Sequence, residues 1–232
     1  GCSPQDMFLI QRLFLVLQGY CLFVVNYRGS TGYGKDFLDS LLGHIGSRDV
    51  EDCGNLTKAA ISQFADLVDP KRVCVEGGSH GGFMTGWLIG HPEFKDLWCA
   101  AGLWNAVLDM SYMVQSTDIP DLIFACCENK VLENFGHIAV EDNKEFFEKS
   151  PISVVKNVKT PSIILVGNSD YRVPPHQSYY YFNSLKSLGV ETKLFDYPES
   201  GHAIMKTPEH FNDAYLNISF WMDKFAMNRK EG

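Results

Sequence analysis

The sequence predicts an α/β protein built on a doubly wound, mostly parallel sheet. Three observations carry that expectation. The strand-length segments, such as Val73-Cys74-Val75 and Ile163-Ile164-Leu165-Val166, are continuously apolar rather than alternating, as strands covered on both faces must be. Helical stretches separate them, which is the pattern that feeds parallel pairing. Residues with reactive chemistry follow directly after several of these runs, and in a parallel sheet the carboxyl ends of the strands share one edge.

The elements follow in order. An apolar helix is expected over 4–18 and a strand over 20–26. The mostly apolar stretch 7–25 is interrupted by Gln11, Arg12, Gln18 and Gly19 and lacks a preceding basic region, so it reads as core rather than as a signal or membrane segment. A glycine-rich loop, Arg28-Gly-Ser-Thr-Gly-Tyr-Gly34, comes next. Its glycines fall as G-x-x-G-x-G and no G-K-[ST] occurs in the chain, so it reads as structural rather than nucleotide-binding. A helix is expected over 50–64, then a strand over 72–76 with a helix behind it, and an apolar run over 97–103 that ends in Trp104-Asn105. The stretch 109–160 offers a helix near 142–149 and no clear strand, which predicts a cover over the sheet edge. Two late strands, 163–167 and 193–197, precede a closing helix over 208–225.

Gly77-Gly78-Ser79-His80-Gly81-Gly82 behind the strand at 72–76 has the spacing of a nucleophile elbow. Such a turn holds a serine on a strained corner between strand and helix, with glycines expected where side chains would collide. The backbone N–H of the following residue, His80, then points to where an oxyanion would form.

Asp170 and His202 each lie just past a late strand, so Ser79, Asp170 and His202 occur in the chain order Ser, Asp, His of α/β-hydrolases. Serine is a weak nucleophile at its own pKa. An imidazole has to take its proton, and a carboxylate has to hold that imidazole in one tautomer and stabilise its cation. Six other histidines compete, His44, His80, His91, His137, His176 and His210, yet none follows a late strand as His202 does. Asp196 and Glu199 remain alternatives to Asp170 as the acid.

A net charge of −8 argues against a general nucleic-acid binder, which needs basic residues to neutralise phosphates. Seven cysteines form an odd set with no disulfide-framework, C-x-x-C or Cys/His ligand spacing, so no metal site is expected and a reducing compartment is. The vicinal pair Cys126-Cys127 has no such pattern around it. The glycosylation-type triplets at Asn55 and Asn217 are short enough to arise by chance.

Several segments together resemble one family. Asn26-Tyr-Arg-Gly-Ser-Thr-Gly-Tyr-Gly34, Gly77-Gly-Ser-His-Gly-Gly-Phe83, Ser116-Thr-Asp-Ile-Pro-Asp121, Lys149-Ser-Pro-Ile152, Asp170-Tyr-Arg-Val-Pro174 and Gly201-His202 resemble the hydrolase domain of the acylaminoacyl-peptidase branch of the prolyl oligopeptidase family. The likeness runs over nearly the whole chain. It implies an α/β-hydrolase fold and a cytoplasmic serine peptidase that needs no cofactor and removes an N-acylated amino acid from a short peptide. It also implies an amino-terminal β-propeller as a neighbouring domain. That propeller, and the family's His-Gly-Gly-Pro segment that supplies a second oxyanion N–H, are not in this sequence. Residues 1–232 are therefore expected to be the catalytic domain truncated on its N-terminal side, without its first strands. The expected roles are Ser79 as nucleophile, His202 as base and acid, Asp170 as orienter and the His80 N–H as oxyanion donor, with Trp104 and Arg172 in contact with substrate. A carboxylesterase or thioesterase on the same scaffold stays open, as does a catalytically incompetent folding or interaction unit. Oligomeric state is left open, a homo-oligomer included.

Overall fold

Four strands form one sheet in the computed structural model, which describes residues 10–128, 138–204 and 206–227. They are β1 (Cys74–Gly78), β2 (Ala100–Trp104), β3 (Ser162–Gly167) and β4 (Thr192–Tyr197), arranged β1-β2-β3-β4 with every neighbour parallel. The register sets Gly78 opposite Trp104, Trp104 opposite Leu165, and Gly167 opposite Tyr197. The four strands thus end close to level, and the loops beginning at Ser79, Asn105, Asn168 and Pro198 leave from one edge.

Parallel neighbours need crossover connections, and helices supply them. The described helices in chain order are α1 (Ile10–Leu17), α2 (Lys35–Asp39), α3 (Arg48–Gln63), α4 (His80–Gly90), α5 (Met110–Ser116), α6 (Pro120–Glu128), α7 (Val140–Glu148), α8 (His176–Ser187) and α9 (Pro208–Ala226), of which α4 to α8 lie between strands. Alternation along the strands divides the core in two. Ala101, Leu103, Ile164 and Val166 face the layer that contains α4 and Tyr181 and Leu185 of α8. Ala100, Ile163 and Leu165 face Ile218, Trp221 and Met222 of α9. The sheet is therefore doubly wound. Every residue of β3 is buried, which is why its sequence is apolar without alternation. Each of its aliphatic side chains contributes roughly 1.5–3 kcal/mol by leaving water. The start of α9 is marked by Thr207, whose side chain accepts from the His210 N–H, and by Pro208 at the first turn.

The structure corrects the strand expected over 20–26. Those residues belong to no strand; no described strand lies beside them to complete a ladder, and Leu22, Phe23 and Val24 stand exposed. The expected first helix is present over Ile10–Leu17, and its earlier residues lie outside the described ones. The stretch 109–160 holds three helices, α5 to α7, and a 3-10 segment, Pro151–Asn157, with no strand among its described residues. It covers the sheet edge in part: Thr117 Oγ1 donates to the carbonyl of Arg172 at 2.7 Å, and the Asp118 N–H to that of Tyr171 at 3.1 Å. α2, α5, α6 and α8 have no counterpart among the elements read from the sequence. Among the described residues no helix is long and apolar enough to cross a membrane.

Candidate active site

β1 delivers the chain to Ser79, and the backbone turns there with φ 57° and ψ −121°. A non-glycine residue in this region costs on the order of 1–3 kcal/mol, so the surroundings have to impose it. They do so from both sides. The Ser79 N–H donates to the Trp104 carbonyl at 2.9 Å, extending the β1–β2 ladder by one bond, and the Ser79 carbonyl accepts from the Phe83 N–H at 3.0 Å as α4 begins. A Cβ on Gly77 would come within 2.4 Å of the Gly81 backbone, and one on Gly82 within 2.5 Å of Ala106 Cβ. A Cβ on Gly81 meets nothing within 4 Å. The G-x-S-x-G reading is corrected accordingly: close packing requires glycine at 77 and 82, whereas 81 has room.

Asp170 sits in the loop after β3 with its side chain fully buried. Its Oδ1 accepts from the N–H groups of Arg172 at 2.8 Å and Val173 at 3.0 Å. Oδ2 accepts from Nδ1 of His202 at 2.7 Å. The carboxylate is thus oriented by the backbone on one oxygen and holds the imidazole on the other. His202 is one-third exposed, and among the described residues neither its Nε2 nor Ser79 Oγ has a further protein hydrogen-bond partner. The acid and histidine loops are joined directly, Ser169 N–H donating to the Ser200 carbonyl at 2.9 Å.

The competing residues are engaged elsewhere. Asp196 accepts from the Tyr179 hydroxyl at 2.7 Å, and Glu199 is paired with Lys206 at 3.6 Å. His210 is bonded to Ser200 Oγ at 2.8 Å, His91 stacks on Phe94, and His137 lies outside the described residues. The His80 ring turns inward, bonded through Nδ1 to the Tyr27 hydroxyl at 2.8 Å and through Nε2 to the buried Asp49 at 3.1 Å. Its backbone N–H opens α4, where the unpaired amides of a helix start favour negative charge.

Of the two expected substrate contacts, Trp104 sends its ring against Tyr215 of α9, centroids 4.5 Å apart, so that side chain is occupied by packing while its carbonyl serves the elbow. Arg172 lies at the rim, with Nε 2.6 Å and Nη2 3.2 Å from the carboxylate oxygens of Asp118. The guanidinium holds the Asp118 carboxyl below its ordinary range. Among the described residues no group of three or more His, Cys, Asp or Glu side chains could hold a metal ion.

Asn105 has no role in the sequence reading beyond closing an apolar run. It is 2% exposed with φ 36°, and its N–H donates to the Leu165 carbonyl at 2.9 Å. Its Oδ1 accepts from the Gly167 N–H at 2.7 Å, and its Nδ2 donates to the carbonyls of His202 at 2.7 Å and Gly201 at 3.3 Å. A polar residue placed directly after a mostly buried strand, level with the serine turn, is the signal that could have singled it out.

Comparison with known proteins identifies the family and the fold. The profile of the prolyl oligopeptidase family matches residues 7–228. An acylamino-acid-releasing enzyme of Arabidopsis thaliana is 41% identical over 208 residues, which are 90% of this chain and 27% of that protein. The Homo sapiens acylamino-acid-releasing enzyme is 35% identical, over 90% of this chain and 28% of its own length. The chain therefore spans little more than a quarter of these relatives. Among solved structures, a Pyrococcus horikoshii acylaminoacyl peptidase superposes with a TM-score of 0.77 at 26% identity, covering 90% of this chain and 32% of the other. An acylaminoacyl peptidase in complex with Z-Gly-Gly-Phe-chloromethyl ketone gives the same score at 27% identity, over 90% of this chain and 32% of that one. The sheet and its helices have the α/β-hydrolase fold of these proteins.

Proposed function

The chain belongs to the prolyl oligopeptidase family, and on that premise we propose that it is the catalytic part of a serine peptidase that releases an N-acylated, typically N-acetylated, amino acid from the start of a short peptide. Ser79 Oγ attacks the carbonyl carbon of the acylated residue while His202 Nε2 takes the hydroxyl proton. Asp170 stabilises the resulting imidazolium through the Nδ1 bond. The carbonyl oxygen becomes an oxyanion and accepts from the His80 N–H. When the tetrahedral adduct collapses, His202 returns its proton to the leaving amine, and the shortened peptide departs with a free amino terminus. The acyl-enzyme on Ser79 is then hydrolysed by water, which gives its proton to His202. The acyl-amino acid leaves and the proton returns to Ser79.

The observation that carries the reading is the 2.7 Å bond between His202 Nδ1 and the buried Asp170, at the sheet edge from which the strained Ser79 projects. Arg172, at the rim beside Asp118, is placed to meet substrate. In the whole protein a separate amino-terminal domain, a β-propeller, limits substrate size. The small share of the relatives that this chain spans supports a separate domain in the whole protein. A cytoplasmic setting is supported by the six described cysteines, all of them free thiols.

Two measurements on the full-length protein test the proposal. A fluorophosphonate should label Ser79 and not a Ser79→Ala variant. Acetyl-aminoacyl anilides should be hydrolysed in preference to free-amine anilides and simple esters. Preference for esters would reassign the protein as an esterase, and absence of labelling would remove catalysis by serine altogether.

A further inference from the structure

We propose that Asn105 is a positioning residue that sets His202 against Ser79, an inference that rests on the serine-peptidase reading above. The nucleophile, the acid and the base stand on three separate loops, and Asp170 fixes only the ring of His202. The backbone of the histidine loop is joined to the acid loop by the Ser169–Ser200 bond, and Asn105 ties it to the strand end that holds the serine turn. The residue before it accepts the Ser79 N–H through the Trp104 carbonyl. Its own amide holds Gly167, three residues ahead of Asp170, and at the same time holds the carbonyls of Gly201 and His202. One buried side chain thus ties the elbow strand's neighbour to the acid loop and to the base.

The chemistry demands this residue type. The Gly167 N–H needs an acceptor and two carbonyls need donors, which only a carboxamide supplies in so small a volume, and the partners fix which end is oxygen. Asparagine also tolerates the positive φ found here better than other side chains do. Aspartate would keep the acceptor for Gly167 but turn a carboxylate oxygen toward two carbonyl oxygens. Glycine would keep the backbone angle and lose all three side-chain bonds.

That contrast gives the test in the full-length protein, with Asn105→Gly and Asn105→Asp compared with the parent. The rate of fluorophosphonate labelling at Ser79 is measured together with kcat and KM on an acetyl-aminoacyl anilide. Loss of alignment by about 1 Å costs on the order of 10²-fold in rate. Both variants should therefore lose about that factor in labelling rate and in kcat, with KM within about threefold, because binding groups are untouched. An Asn105→Asp variant near parental rate would mean that the bonds to the histidine loop do not matter, and would overturn the proposal. A loss carried by KM with labelling unchanged, or parental rates in both variants, would overturn it as well. If the parent is labelled at Ser79 yet does not cleave acetyl-aminoacyl substrates, the substrate assignment fails while the labelling ratio still decides the role of Asn105.

Discussion

Replacing Gly167 with alanine puts a single methyl group where the acid and base loops meet. Its Cβ would lie 2.3 Å from the Gly201 carbonyl oxygen, 2.8 Å from that of Ser200 and 3.2 Å from Asn105 Nδ2. Carbon and oxygen in such contacts settle near ~3.3 Å, so the histidine loop has to recede by about 1 Å. The two nearest obstacles are backbone atoms, and no side-chain rotation relieves them. The Ser169–Ser200 bond opposes the movement on one side and the Asn105 amide on the other. An overpacked site of this kind costs roughly 1–3 kcal/mol, and for a domain of this size that lowers the melting midpoint by about 2–12 °C. The larger effect is on rate. A displacement near 1 Å at His202 should lower kcat by about 10²-fold. The assay is kcat and KM on an acetyl-aminoacyl anilide at a temperature well below the lowered midpoint, with calorimetry alongside. A kcat within about threefold of the parent, together with a lowered midpoint, would show that the loop yields without moving the base and would refute the reasoning.

Asp170→Asn keeps a side chain of the same shape in the grip of the Arg172 and Val173 amides but presents the wrong partner to His202; kcat should fall about 10⁴-fold with little change in unfolding by denaturant. Ser79→Gly should abolish turnover and raise stability by about 1 kcal/mol, since glycine occupies φ 57° without steric penalty; an unchanged denaturation midpoint would mean that the turn is not strained. Gly82→Ala should destabilise by roughly 1–3 kcal/mol because its Cβ meets Ala106, whereas Gly81→Ala, with open space around it, should be neutral or slightly stabilising in the same unfolding experiment.

β2 and β3 were legible because burial on both faces forces an apolar signal, and β3 is the plainest case, whereas β1 and β4 are less buried and were legible from shorter apolar stretches followed by turn residues. The loops of Ser79, Asp170 and His202 could be placed from the sequence for a related reason: each comes after a strand, and parallel pairing brings the strand ends to one edge, where the structure joins Asp170 to His202. The residues at 20–26 misled because the same apolar composition suits a strand with or without a neighbour, and pairing is a property of the partner as much as of the segment. Trp104 shows another limit. Its position beside the site is set by its carbonyl, while the alternation of β2 sends its ring to the opposite layer against Tyr215. Asn105 carried no motif at all, because its partners are backbone atoms and backbone leaves no residue-specific trace in a sequence. The engagement of His80 with Asp49 was hidden for want of any local pattern linking α3 to the elbow.

Ser79 leaves β1 and His202 follows β4, so among the described strands the two side chains proposed to react are carried by β1 and β4, with β2 and β3 between them. On the proposed reading, any loss of the ladder between β1 and β4 parts the pair. Proteolysis as proposed would then be a property of the assembled sheet: a nascent or partly melted chain holds the proposed nucleophile and base out of register.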